Sequence, residues 1–291
     1  MKKIHLSKTE VLKYYQIYLE THDLTGYINK YKDTLPFKSP GLLFDYFNKY
    51  NLIYCANQVD MSIIDSEIKA YFLGLIYADG SLVSSNSYLK VVITLQEQDG
   101  YILTTIRDSL FPFANVTFYD IKHKYPNWSN RYVLSLGGQK FCENLMKIGL
   151  IRNKTTIEYS LPNIPENMYQ HFIRGYFDGD GTCTIHHHNH YKHTKSGNFY
   201  NRIAIPCLTS KVLYDIKELL GIGKVRISKN RQNRQDIYHF WIEKQPEIKM
   251  FYNYIYQNAT IFLQRKKDKF LHDNPVLINM LTSINSVETN S

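Results

Sequence analysis

The sequence predicts an α+β protein made of two pseudo-symmetric halves behind a small all-α N-terminal module. Three observations carry this. A nine-residue stretch occurs twice, as Phe72–Gly80 and Ile173–Gly181, with Asp79 and Asp180 standing 101 positions apart. Each copy follows residues at helical spacing and precedes runs in which apolar and polar residues alternate. Each half then reads in one order, helix, hairpin, helix, hairpin, helix, which is αββαββα. The boundaries this implies are 1–60 for the helical module, 61–160 and 161–275 for the halves, and 276–291 for a polar tail.

In the N-terminal module, Ser7-Lys8-Thr9-Glu10 is a capping box ahead of Val11, Leu12, Tyr15 and Tyr18, so a helix should start at Ser7. A shorter helix is expected near 24–31. Ser39 should cap a third, with Pro40 at its first position and Leu43, Phe44 and Phe47 on one face. Three short helices resemble a helix-turn-helix, whose third helix is the one presented to DNA. A small helical cap on the main domain has nearly equal claim, because no base-reading residue identifies itself. Residues 51–65 read as the connector.

The duplicated stretch then predicts two helices in contact. Ile68, Tyr71, Phe72, Leu75 and Ile76 recur at three- and four-residue spacing, as do Met168, Phe172, Tyr176 and Phe177. Ala70, Gly74 and Ala78 share one face of the first helix, and Gly175 and Gly179 one face of the second. An interior glycine costs a helix about 1 kcal/mol relative to alanine. Close backbone approach between the two helices would compensate. Gly80 and Gly181 are expected just past the helix ends in a positive-φ conformation. Asp79 and Asp180 would then stand at the negative ends of two helix dipoles, side by side. That is a poor place for two carboxylates unless a divalent cation lies between them.

Beyond each motif the pattern changes to strands. Leu89, Val91, Ile93 and Leu95 alternate with Lys90, Val92, Thr94 and Gln96. A helix near 98–111, strands near 116–122 and 131–136, and a helix over 139–148 complete the first half, and 155–165 form an extended link. In the second half strands are expected near 183–190 and 200–208, then a helix over 210–220. Strands near 224–228 and 236–243 and a helix over 246–257 follow. Lys224, Arg226 and Ser228 share one strand face, and Lys229, Arg231 and Arg234 follow in the turn.

The formal net charge of +9 favours a polyanionic partner. No apolar stretch is long enough to span a bilayer, and the first residues contain no signal-like apolar segment, so no membrane association and an intracellular location are expected. Four cysteines (Cys55, Cys142, Cys183 and Cys207) show no paired metal-ligand spacing.

On its two motif copies, over approximately residues 66–271, the chain resembles the LAGLIDADG homing endonucleases in their single-chain form. The first copy departs from the family pattern with Tyr77 where an acid is common; the second keeps Asp178 and has Gly179 for the usual alanine. The resemblance implies a saddle-shaped antiparallel sheet on DNA with the motif helices packed at its centre. It implies a monomeric, site-specific double-strand DNA endonuclease acting at a long asymmetric site, with Mg²⁺ or Mn²⁺ as cofactor. Asp79 and Asp180 would bind the metal, helped by the carbonyls of Ala78 and Gly179. Lys154 and Lys266 would be the basic catalytic residues, with Lys267 in reserve for the latter. Gln96 is a weaker candidate for ordering water.

A polar, basic sheet face suits the major groove, where side chains read base edges and phosphates. Lys90, Gln96, His186, His188, Arg202, Lys224, Arg226, Lys229, Arg231 and Arg234 are the DNA-contact candidates. The run His186–His190 invites a zinc or His-Asn-His reading, but alternate residues of a strand would carry its histidines, which fits a DNA-facing hairpin better. The competing function is a non-catalytic binder of the same fold, a transcription regulator or a maturase, for which group I intron RNA would be a partner.

Overall fold

The computed structural model describes residues 5–21, 24–31, 33–37, 41–50, 56, 59–85, 88–112, 114–187, 199–229 and 235–272. At the N-terminus lie three helices, α1 (Lys8–Thr21), α2 (Leu24–Lys30) and α3 (Gly41–Lys49). The capping box forms as expected: Glu10 accepts from the Ser7 backbone N–H at 2.8 Å, and Ser7 Oγ accepts from the Glu10 N–H at 3.3 Å. Val11, Ile28, Leu43 and Phe47 close a small core of their own. Ser39 and Pro40, expected to start the third helix, lie outside the described residues, as do Cys55 and the tail beyond 272. The connector is less independent than its sequence suggests. Ala56, Met61 and Ile64 are buried in the core of the main body, ahead of the first motif helix.

That helix is α4 (Glu67–Asp79), and its counterpart is α7 (Tyr169–Asp180). Every residue from Ala70 to Tyr77 and from Phe172 to Asp178 is buried. Helices buried on all sides need a partner on all sides, and each is the other's main neighbour. A Cβ on Gly74 would overlap the Phe172 carbonyl oxygen and stand 2.8 Å from the Tyr176 nitrogen; one on Gly175 would overlap the Tyr71 oxygen and stand 3.0 Å from the Leu75 nitrogen. The glycines are therefore the contact points of two backbones.

The glycines after the helices require a correction. Gly80 has φ −82° and Gly181 φ −66°, both with extended ψ, so neither adopts the expected positive φ. Space is the reason for glycine here: a Cβ on Gly80 would lie 2.6 Å from the Ile76 Cα, and one on Gly181 would meet the Phe177 ring and carbonyl. The chain turns straight from helix into strand.

Each half adds a four-stranded antiparallel sheet. In the first, β1 (Gly80–Ser85), β2 (Tyr88–Gln96), β3 (Val116–Tyr119) and β4 (Arg131–Gly137) pair in the order β1-β2-β4-β3. In the second, β5 (Thr182–His187), β6 (Phe199–Cys207), β7 (Lys224–Ser228) and β8 (Ile237–Ile242) repeat it as β5-β6-β8-β7. Helices α5 (Gly100–Leu110) and α6 (Gln139–Lys147), and α8 (Lys211–Leu220) and α9 (Gln245–Tyr256), fill the equivalent places. A last helix, α10 (Gln264–His272), falls where the sequence shows only a basic motif.

Alternation does what the pattern required. Leu89, Val91, Ile93 and Leu95 are buried, while Lys90, Val92, Thr94 and Gln96 face the other way. In the second sheet Ile203, Ile205, Phe240 and Ile242 are buried. Pairing of Lys224 with Trp241 and of Arg226 with His239 puts these four on the opposite face, level with Ala204 and Pro206 of β6. No helix among the described residues is long and apolar enough to cross a membrane.

Candidate active site

The crossing of α4 and α7 at Gly74 and Gly175 carries their C-terminal ends to one place. The Asp79 Oδ2 lies 3.0 Å from where a Cβ of Gly179 would be, and the Ala78 methyl lies closer still. Only a small residue at 179 lets the ends approach. Burial, and next the charge of Asp79, push the Asp180 carboxyl up to about 6. Burial also raises Asp79, against the pull of Lys154 and Lys266.

Two lysines converge on the same ends. Lys154 follows Asn153, whose backbone is left-handed at φ 55°. Its Nζ donates to the carbonyls of Ile76 and Tyr77 at 2.6 Å and of Ala78 at 3.1 Å. Lys266 Nζ lies 3.5 Å from the Gly179 carbonyl and donates to that of Gly181. An ammonium group at a helix C-terminus is favoured by the dipole. Burial nevertheless lowers Lys154 to about 8, against the opposing pull of Asp180 and Asp79. Lys267 points elsewhere, its Nζ 4.2 Å from the Phe262 ring centroid. Of these two adjacent lysines, the structure brings Lys266 to the aspartates.

The donor set is hard: two carboxylates and the last carbonyls of two helices. It gathers negative charge, draws in two ammonium groups and still leaves Asp180 reluctant to ionise. A divalent cation held by Asp79 and Asp180 fits this chemistry. A cavity beside it is lined by Lys154, Asp180, Tyr159 and Cys207, and Cys207 Sγ lies 3.4 Å from the Tyr159 hydroxyl.

With this geometry in view, comparison with known proteins is direct. Residues 173–272 match the family model described as LAGLIDADG endonuclease. Over that stretch the chain is similar to the LAGLIDADG endonucleases. The match spans α7 to α10, and the first half shares the element order and the helix pairing. Among solved structures, the meganuclease I-SmaMI bound to uncleaveable DNA has a TM-score of 0.52 at 12% identity, over 77% of this chain and 97% of that one. The LAGLIDADG meganuclease I-AabMI bound to uncleaved DNA has a TM-score of 0.52 at 13% identity, over 73% and 91%. At such identities the likeness is one of fold. No curated protein matches the chain.

The remaining expectations from the sequence divide. Lys90 sits on the open face of the first sheet, Arg226 is exposed on that of the second, and Lys229 is exposed just past the end of β7. Arg202 and Lys224 share that second face but are both held by Glu243: Arg202 Nη2 approaches it to 2.6 Å, and Lys224 pairs with its other oxygen. Arg202 also stacks on Trp241, 3.9 Å from the ring centroid. The basic cluster is thus partly neutralised within the sheet, which sequence spacing did not reveal. Gln96 ends β2 exposed, its Oε1 taken by the Gln98 amide at 3.2 Å. His186 pairs with Tyr200 in the ladder, and His188, Arg231 and Arg234 lie outside the described residues.

Sequence reading missed the groups that hold the site from behind. Asp178, fully buried, accepts from Tyr256 at 2.7 Å, Tyr71 at 2.9 Å and the Leu263 N–H at 2.7 Å. Arg174, 1% exposed, donates to the carbonyls of Ile261 and Ile255 and to Glu67 at 2.5 Å. Asp178 and Arg174 were visible as charged residues inside an otherwise apolar helix. Their partners, 67 and 255–263, were not.

Proposed function

We propose that this protein is a divalent-metal-dependent, site-specific DNA endonuclease that hydrolyses both strands at a long asymmetric site. The observation that carries the reading is the meeting of Asp79 and Asp180 at the ends of the two crossed motif helices. Asp79 and Asp180, with the Ala78 and Gly179 carbonyls, would hold Mg²⁺ or Mn²⁺. When bound, the metal lowers the pKa of water and neutralises charge on the scissile phosphate and leaving oxygen.

The chain's own residues do the rest. Lys154 and Lys266, one at each helix end, place a positive charge beside each scissile phosphate as charge develops there. The open faces of the two sheets, with Lys90 and Arg226 outward and Lys229 just past β7, lie against the major groove and fix the register. Because the open face of the first sheet carries Lys90, Val92 and Thr94 and that of the second carries Arg226, His239 and Trp241, the two half-sites read should differ in sequence. Pairing of both halves in one chain supports action as a monomer.

The non-catalytic alternative has no observation in its favour beyond the shared fold. The N-terminal helices, with their separate core, are proposed as an accessory helix-turn-helix-like module. Incubating the wild-type protein with Mg²⁺ and a randomised duplex library, and sequencing the ends produced, tests the reading. Discrete cut ends at one asymmetric sequence are expected; a site that is bound but left intact would instead favour the binder.

A further inference from the structure

We infer that the first half of the chain positions the second half's lysine: Asp99, acting through Arg265 and seconded by Asp178, sets Lys266 in place. Cutting of one strand therefore depends on an acid from the opposite half. The inference rests on the endonuclease reading above.

Lys266 lies in the first turn of α10, and each of the three residues before it is pinned. The Leu263 N–H donates to Asp178 at 2.7 Å, and the Leu263 carbonyl accepts from the Lys266 N–H at 3.0 Å. The Gln264 N–H donates to the Tyr101 hydroxyl at 2.8 Å. Arg265 clasps Asp99 from two nitrogens: Nε lies 2.7 and 3.0 Å from its two oxygens, and Nη2 lies 2.5 Å from Oδ2. Tyr101 and Asp99 belong to the first half. Asp99 is 3% exposed and directly precedes α5.

A bidentate guanidinium–carboxylate pair fixes a plane as well as a distance. A lysine side chain is a flexible stem, so its ammonium is only as well placed as the backbone that carries it. With residues 263–265 held on both sides, the Lys266 stem starts from one position and its amine is delivered to the Gly179 and Gly181 carbonyls. Lys154 is placed by other means, a turn with Asn153 left-handed, and the first motif has Tyr77 where the second has Asp178. The two half-sites are thus built differently behind matching fronts.

The test uses full-length protein and a duplex recovered from a randomised library by wild-type cleavage, each strand end-labelled separately, in single-turnover reactions with Mg²⁺. Lys266→Met identifies the strand that depends on Lys266. Asp99→Asn is expected to slow that same strand tenfold or more while changing the other less than threefold. Arg265→Gln, at a half-exposed position, should do the same and serves if Asp99→Asn fails to fold. Equal slowing of both strands, as from a general loss of stability, overturns the inference, and so does an unchanged strand ratio. A wild type that cuts neither strand removes the endonuclease reading and this inference with it.

Discussion

A Cβ on Gly74 would collide with the carbonyl oxygen of Phe172, and a Cβ on Gly175 with that of Tyr71. The obstacles are backbone atoms, which cannot rotate aside as a side chain can. Every other relationship at the centre, including the meeting of the aspartates, depends on this approach.

Gly74→Ala should therefore push the helices apart or unfold the interface. Overpacking against rigid neighbours costs about 2–3 kcal/mol. Denaturant unfolding should show that loss, although alanine is the better helix former.

Asp180→Asn should abolish strand cleavage while leaving duplex binding measurable in Ca²⁺. A gel-based cleavage assay and a binding titration on one duplex separate the two effects. Full activity in the variant would remove Asp180 from the site.

The pH dependence follows from two groups. The Asp180 carboxyl, held at about 6, must ionise before it can ligate a cation, so cleavage should rise as pH passes through 6. Lys154, lowered to about 8, loses its charge above that pH, and the rate should stop rising there. Stability without metal moves in the opposite sense. The folded protein keeps a proton on Asp180 that the unfolded chain has lost between about 4 and 6, so stability falls as pH rises through that window. In EDTA, Asp180→Asn should accordingly melt above wild type at pH 8, and added divalent cation should stabilise only the wild type.

Two buried polar groups predict opposite outcomes. The Tyr77 hydroxyl, in a residue 2% exposed, finds no protein hydrogen-bond partner among the described residues. Tyr77→Phe removes a group that burial penalises and should be neutral or stabilising by about 1 kcal/mol. Arg174→Met takes the guanidinium from two carbonyls and from Glu67, which keeps the Thr260 and Ile261 N–H groups, and should cost about 3–5 kcal/mol. Thermal or denaturant unfolding of both variants checks the contrast.

Duplex affinity should fall steeply with salt, since displaced counterions supply much of the driving force. The logarithmic slope should flatten by about one for each phosphate that a variant no longer neutralises, and Arg226→Ala or Lys229→Ala is expected to release one. Lys224→Ala should change it less, because that charge is already paired with Glu243.

The order of elements in both halves was legible because period-two and period-3.6 patterns are local properties of a chain. Strand β7 falls at 224–228, as its alternation required. The glycine and aspartate pairs at 74 and 175 and at 79 and 180 were legible because they occur twice. The conformation of Gly80 and Gly181 was not, since a helix-end glycine suggests positive φ and only the packing of Ile76 and Phe177 shows that space was the constraint. Helix α10 is hidden in the sequence because its basic, polar surface has few apolar residues to mark a period.

Residue type and spacing thus settled the repeat, the two halves and the acidic motif ends, since each is written in neighbours along the chain. Which lysine reaches those ends, which basic residues Glu243 ties down, and how Asp99 and Asp178 brace the segment before Lys266 were decided by folding alone. Those contacts join residues from 19 to 166 positions apart, and no local pattern encodes a distance across space.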